Sequence, residues 1–280
     1  MLARTYESAD SFLLAAQEWL EQNEVANGLV LGICGRLRQA PSGTQGAVYL
    51  ATVEDEDGLL LAAIMTPPYR AVLAGGERDC PEALAAIARD LEANGWHVPG
   101  VLGPVAIAAG FAAAWAHIAG RSATLSQHQR VHALSHVDHP RDSPGRLRAA
   151  TAANIPQLAA WMEAFNRDVG EDGAADAEEM VRRRVAGQDL YVWDDGRPVS
   201  MAGTTRPTAH GISIAPVYTP PELRRRGYAS SCVASLSQAL LDAGRSYCTL
   251  HTDLANPTSN DIYQRIGYRP VCDHDRYDFS

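Results

Sequence analysis

The sequence predicts an α+β fold, an α/β sandwich in which mixed, mostly antiparallel sheets are flanked by helices, built twice along the chain. Three observations carry that expectation. The first is a pair of hairpin signatures: Glu54-Asp55-Glu56-Asp57-Gly58 between the strand-like runs Gly46 to Val53 and Leu59 to Thr66, and Asp194-Asp195-Gly196 between Leu190 to Trp193 and Pro198 to Arg206. The second is a set of amphipathic stretches with helical period set among those runs. The third is a faint repeat. Thr66-Pro67-Pro68 recurs as Thr219-Pro220-Pro221, Leu91-Glu92-Ala93-Asn94-Gly95 resembles Leu240-Leu241-Asp242-Ala243-Gly244, and Ile118-Ala119-Gly120 resembles Arg265-Ile266-Gly267, in one order and at similar separations.

In chain order, Ser8 to Gln22 is an expected helix, because Phe12, Leu13, Ala16, Trp19 and Leu20 fall on one face. Val25 to Arg36 is read as a ragged strand. Pro81 to Ala93 has the proline start and the Gly95 stop of a helix. Val98 to Gly120 carries no Asp, Glu, Arg or Lys, but Pro99, Pro104, four glycines and His117 interrupt it, so it reads as a loop and a buried helix rather than a membrane span. A strand over Arg130 to Val137 leads into Asp138 to Gly145, whose prolines, glycine and charges mark a linker. The expected division is therefore a domain at 1–137, a linker at 138–145 and a domain at 146–280.

In the second half, Arg146 to Thr151 suits a strand, and the helix to Asp168 has Leu158, Trp161, Met162 and Phe165 as its stripe. A further helix ends near Ala186. A strand at His210 to Tyr218 feeds a helix at Gly227 to Ala243, followed by a strand at Ser246 to Thr252. Asn256-Pro257 opens a last helix and Gly267 closes it, before a final strand at Tyr268 to Phe279.

The composition excludes several classes. With 46% hydrophobic residues, 280 residues suffice for two real cores, and a net charge of −9 opposes a broad nucleic-acid or anionic-membrane surface. All 24 basic residues are arginines, which excludes a Schiff-base lysine and a Walker P-loop. The five cysteines are odd in number and lack C-x-x-C spacing, and the N-terminal residues lack the apolar run of a secretory signal, so a cytoplasmic location is expected. His128, His132 and His136 recur every four residues, with His139 following, yet on a strand successive ones stand too far apart to converge on one ion, so no metal is expected.

Arg224-Arg225-Arg226-Gly227 stands where a helix begins. Cations are unfavourable there in isolation, because the free amides and the macrodipole already make a helix N-terminus positive. A phosphate would reverse that penalty, and Gly227 lets it approach the backbone. A solvated arginine cluster is the alternative reading.

Arg224-Arg225-Arg226-Gly227-Tyr228-Ala229, with Val217 to Glu222 before it and Asn256 to Tyr268 after it, resembles the Q/R-x-x-G-x-G/A motif and the later motif of the GNAT superfamily of N-acetyltransferases. The resemblance covers Arg146 to Ser280. The first half then looks like a degenerate GNAT-like domain of a tandem protein, with Tyr69 to Gly76 as the weak counterpart of the arginine loop and Ala116 in place of Tyr263. The resemblance implies acetyl-CoA as co-substrate. Main chain around Val217, Tyr218 and Thr219 would meet its pantetheine arm together with Asn256, and Arg224, Arg225, Arg226, Gly227, Tyr228, Ala229 and Ser230 would surround its pyrophosphate. Tyr263 would be the general acid that protonates the departing thiolate.

Acyl transfer from a thioester to an amine also needs an oxyanion donor and a neutral amine. Among His251, Asp253, His210 and Glu222 the base is open, with His251 carried as a candidate. Glu163, Asp168 and Glu171 suggest attraction of a cationic acceptor, small molecule or peptide. The expected activity is direct transfer of an acetyl group to an amine in a ternary complex, by a monomer or small homo-oligomer with neither a nucleic-acid nor a membrane partner. The rival is a catalytically silent CoA-binding regulatory or interaction protein; nucleic-acid binding through the arginines is a third.

Overall fold

The computed structural model describes the chain except residues 40–45, 77, 79, 140–142 and 171–175, and the side chain at 258. The chain forms two compact units that are not consecutive in sequence. The first comprises Met1–His132, His251–Asn256 and Pro270–Ser280, and the second Ala133–Leu250 and Pro257–Arg269. The final strand thus belongs with the first unit, which a boundary at 138–145 does not anticipate. Short-range composition signals where a chain is loose, not which sheet a later strand joins.

The elements in order are β1 (Arg4–Thr5), α1 (Ala9–Glu21), α2 (Gly28–Gln39), β2 (Tyr49–Asp55), β3 (Gly58–Met65), β4 (Ala71–Gly75), α3 (Pro81–Ala93), β5 (Gly100–Pro104), α4 (Val105–Ala119) and β6 (Ala123–Leu134). There follow β7 (Arg146–Ala149), α5 (Ile155–Asp168), α6 (Ala177–Ala186), β8 (Leu190–Asp194), β9 (Pro198–Thr205), β10 (Gly211–Tyr218), α7 (Tyr228–Asp242), β11 (Tyr247–Asp253), α8 (Pro257–Ile266) and β12 (Arg269–Phe279). The mixed α+β class expected from the sequence is what forms.

In the first unit the strand order is β1-β2-β3-β4-β5-β12-β6. Alternation sends Tyr49, Ala51 and Val53 of β2, Leu61, Ala63 and Met65 of β3, and Ala71 and Leu73 of β4 into one core with α3 and α4. Leu50, Ala62, Ile64, Val72 and Ala74 go to the opposite core, with α1 and α2. One sheet buried on both faces explains why these strands are almost continuously apolar. Val25 to Arg36, expected as a strand, contributes instead to the helix Gly28–Gln39, which buries Val30, Leu31, Ile33 and Cys34. Its β-branched apolar run suits a buried strand or a buried helix equally well, and tertiary packing decided. β12 runs antiparallel to β5, from His274 opposite Pro104 to Asp278 opposite Gly100, and Gly100 is required there because a Cβ would stand 2.2 Å from the Tyr277 carbonyl oxygen.

The second unit orders its strands β11-β10-β9-β8-β7. Ile212, Ile214, Ala202, Val199 and Trp193 meet Cys232, Val233 and Leu236 of α7 and Tyr263 and Ile266 of α8 on one face. Leu190, Val192, Met201 and Tyr218 meet α5 and α6 on the other. Pro144 and Gly145, expected within a linker, are fixed: the Trp193 indole donates to the Pro144 carbonyl at 2.9 Å, and a Cβ on Gly145 would lie 2.6 Å from the Asp194 carbonyl oxygen.

The repeat is topological, but one of its three sequence echoes is displaced. Asn94-Gly95 and Ala243-Gly244 both end the helix after a parallel strand, and Gly120 and Gly267 both end the next helix. Thr66-Pro67-Pro68, however, precedes β4, whereas Thr219-Pro220-Pro221 follows β10. The counterpart of the arginine loop is therefore Gly76 to Cys80, between β4 and α3, rather than Tyr69 to Gly76.

Candidate active site

The site is built where β10 ends and α7 begins. β10 pairs in parallel with β11 at Gly211–Tyr247, Ile212–Cys248 and Ser213–Thr249. Against β9 its register slips: Ile214 faces Thr204 and Val217 faces Ala202, so Ala215 and Pro216 together oppose Gly203. Such a bulge leaves ladder groups unpaired and re-aims the strand. Pro216, which has no N–H to give the ladder, is at home in it. Val217, Tyr218 and Thr219 follow directly. Below them the Ser200 hydroxyl lies 3.1 Å from the Tyr218 carbonyl oxygen, as donor, and 2.8 Å from the Thr219 hydroxyl.

A short 3-10 turn (Pro221–Leu223) then delivers the arginines. Arg224 is a structural strut: its Nε donates to the Thr219 carbonyl at 2.9 Å, its Nη2 lies 3.2 Å from Asp168 Oδ2, and its guanidinium carbon sits 5.8 Å above the Tyr218 ring. Arg226 makes only a long contact, 3.4 Å from Nη2 to the Glu222 carbonyl oxygen. Arg225 takes the left-handed conformation, with φ 63°, and Gly227 does so again, with φ 81°. Two such residues one apart turn the chain sharply and leave Arg225, Arg226 and Gly227 exposed.

No side chain caps α7. The Ser231 N–H donates to the Gly227 carbonyl at 2.9 Å, so Tyr228, Ala229 and Ser230 carry the first-turn amides, donors of the kind an anion can satisfy. Burial fixes what each side chain here does. The Tyr228 ring belongs to the core and its hydroxyl donates to Asp195 Oδ2 at 2.9 Å, leaving only its backbone for a ligand. Ser143 donates to Ser231 Oγ at 2.9 Å, bracing the first turn. Neither Ser143 nor Asp195 was singled out in the sequence, since contacts spanning 88 and 33 residues leave no local signal.

Tyr263 lies on α8 against α7, 9% exposed, with Tyr268 edge-on at 6.0 Å. Burial, and secondarily the Cys232 thiol, raises its phenol above the ordinary value, so it holds its proton at neutral pH. The same burial pushes the Cys232 thiol up to about 12.

Asn256 and His251 fall in the first unit. Asn256 is exposed, and its backbone N–H donates to the Asp253 carbonyl at 3.0 Å at the turn before α8. His251 lies edge-on to His274, ring centroids 6.0 Å apart. Of the other base candidates, His210 and Glu222 are exposed, and Asp253 accepts from Gln127 at 3.0 Å and from the Ala255 amide at 2.7 Å. The first unit also holds a pair the sequence did not flag: His128 Nδ1 lies 2.7 Å from Asp275 Oδ1, a carboxylate only 4% exposed. Of the acidic trio, Asp168 is neutralised by Arg224, Glu163 is exposed, and Glu171 lies outside the described residues.

Residues 195–277 match the model of the family described as FR47-like protein. No curated protein matches the chain. Among solved structures, the chain is similar over its whole length to a GNAT-family acetyltransferase from Colwellia psychrerythraea, with 12% identity, TM-score 0.59, and 100% of this chain and 99% of that chain covered. A tandem GNAT protein from the clavulanic acid biosynthesis pathway superposes with TM-score 0.59 at 15% identity, covering 99% of this chain and 97% of its own. A GCN5-related N-acetyltransferase from Sphaerobacter thermophilus does so with TM-score 0.59 at 14% identity, covering 99% and 94%. With the bulged strand, the arginine turn and the uncapped helix that follows it, the match at 195–277 and these full-length superpositions establish that the protein has the GNAT-superfamily fold.

Proposed function

We propose that the protein is an N-acyltransferase that moves an acetyl group from acetyl-CoA to an amine by direct transfer in a ternary complex. The observation that carries this reading is the start of α7: uncapped amides, Gly227 at φ 81° and the exposed Arg225 and Arg226 converge after a bulged strand. That donor set fits a pyrophosphate, with planar guanidinium forks supplying charge and the backbone supplying directed N–H groups. Val217 to Thr219 would offer main chain to the pantetheine amides, and Asn256 its side-chain amide. Acetyl-CoA supplies the activated thioester; the chain's residues bind it, orient it and protonate its leaving group through Tyr263.

The buried phenol suits that last role because it is protonated at the pH where an amine acceptor is partly neutral. His251 remains the candidate for taking the amine proton. Acceptors of the class, small amines or peptide amino groups, differ in charge, and the Arg224–Asp168 pair removes one of the carboxylates that would have favoured a cation. No helix of the described residues is long and apolar enough to cross a membrane.

CoA release measured over amines, amino acids, polyamines, aminoglycosides and peptides tests the reading. Amine-dependent release is expected for one acceptor class. Acetyl-CoA binding without release on any acceptor would establish the silent CoA-binding protein instead, and DNA binding with steep salt dependence but no thermal response to CoA would return the arginines to nucleic acid.

A further inference from the structure

The bulge in β10 has an occupant that comes from outside the two strands. Arg184, in the last turn of α6, sends Nη2 into it, 2.8 Å from the Ala215 carbonyl oxygen, 3.0 Å from that of Thr204 and 3.3 Å from that of Asp189. Its Nε lies 3.4 Å from Asp189 Oδ1. The guanidinium reaches these oxygens over Gly203, where a Cβ would come within 2.4 Å of Nη2 and 3.2 Å of the Ala215 carbonyl oxygen. Gly203 is the single residue that opposes Ala215 and Pro216. Helix, glycine and proline therefore act on one point: Pro216 withholds an N–H, Gly203 leaves a space, and Arg184 fills it with a donor to the carbonyls of Ala215, Thr204 and Asp189, the last of which also accepts from the Thr204 N–H at 2.8 Å.

We propose that Arg184 is a positioning residue for acyl-CoA: by binding the carbonyls at the bulge it fixes the direction in which Val217, Tyr218 and Thr219 leave the sheet, and so presents their main chain to the pantetheine arm. The inference rests on the proposed function for its ligand and on α6 and β10 for its geometry. It separates two halves of the cofactor, because the arginine turn and the α7 amides do not depend on the bulge for their donors. All three carbonyls are reached by Nη2 alone, while Nε faces Asp189 as an ion pair without a hydrogen bond. Lysine keeps the charge and a single donor nitrogen on a differently shaped stem, so it replaces arginine in part, whereas methionine supplies no donor.

The experiment compares acetyl-CoA with adenosine 3′,5′-bisphosphate, the nucleotide end alone, on wild type, Arg184→Lys and Arg184→Met. Calorimetry is expected to show acetyl-CoA affinity reduced at least tenfold in Arg184→Met and by less in Arg184→Lys, while nucleotide affinity stays within twofold. Amide hydrogen exchange without ligand is expected to rise at least tenfold at Val217 to Thr219 and to stay unchanged at Tyr191 to Trp193 of β8. Equal weakening of both ligands, unchanged exchange at Val217 to Thr219, or failure of both variants to fold would overturn the proposal. Wild type that binds neither ligand would refute the acyltransferase reading, and the exchange measurement would still decide what Arg184 does to the bulge.

Discussion

The turn from β10 into α7 and the turn from β4 into α3 occupy the same place in the two halves of the repeat, yet they differ in length, charge and the residue that opens the helix. The first is Thr219 to Gly227, long enough for a 3-10 turn and two left-handed residues, and it opens a helix that, like α3, has no side-chain cap. The second is Gly76 to Cys80, Gly-Glu-Arg-Asp-Cys in sequence. Its single arginine, Arg78, is engaged by Asp55 at 2.5 Å and by Asp57 at 3.4 Å. Pro81 then stands at the first position of α3 and removes one of the amides an anion would use. The helices that follow differ likewise, with Tyr263 on α8 where α4 has Ala116. The two halves thus share their packing, which any apolar residue of suitable size can satisfy, and differ where one charge or one backbone angle sets a turn.

The contrast can be tested, beginning with the largest effect. Tyr263→Phe is expected to lower kcat about 10²–10⁴-fold with little change in acetyl-CoA affinity, as loss of a general acid does; full turnover in steady-state assays would remove the phenol from the mechanism. Arg225→Ala combined with Arg226→Ala is expected to raise the Kd for acetyl-CoA about 100-fold, at roughly 1.5 kcal/mol per charge-assisted bond. Arg78→Ala, in the degenerate turn, should leave that Kd within about twofold, because Arg78 is already paired with Asp55 and Asp57 and its side chain is half exposed. Equal losses from the two turns would erase the distinction.

Acid should act through the first unit. His274 is 3% exposed and burial lowers its value to about 4, while buried His132 is lowered for the same reason. The unfolded chain therefore takes up protons below the ordinary histidine value of about 6.5 that the native chain refuses. The stability these two histidines contribute is expected to be complete above pH ~6.5 and lost as the pH falls below it, by at most about a factor of ten in the folding constant per pH unit for each histidine. Urea midpoints at neutral and acid pH should converge in His274→Gln, and an unchanged slope would absolve that residue. The smallest effect is on the backbone. Gly227→Ala forces alanine to φ 81° and should cost about 1 kcal/mol in urea unfolding, whereas Gly76→Ala, with 4.0 Å of room and no positive φ, should be neutral or slightly stabilising.

The elements were legible where one signal dominates. α3, α5 and the last helix follow their proline starts and stripes, and β3, β8 and β9 follow their turn residues. Residues Gly28 to Gln39 misread because a buried run of Leu, Val and Ile has no polar face to reveal its period. The displaced Thr-Pro-Pro echo shows the same limit in another form: a tripeptide matches by letters, whereas equivalence belongs to the strand it borders.

By itself the sequence determined the α+β class, the duplicated pattern and the place of the arginine run at the start of α7, because those rest on periodicity, turn chemistry and a local run of charge. Tertiary structure alone decided that Arg224 is a strut while Arg225 and Arg226 stay exposed, that Tyr228 faces the core, that β12 pairs with β5, and that Arg184 enters the bulge opposite Gly203. Each of those outcomes depends on contacts between residues far apart in the chain, and burial at such contacts is set by which surfaces meet, for which neighbours in sequence carry no information.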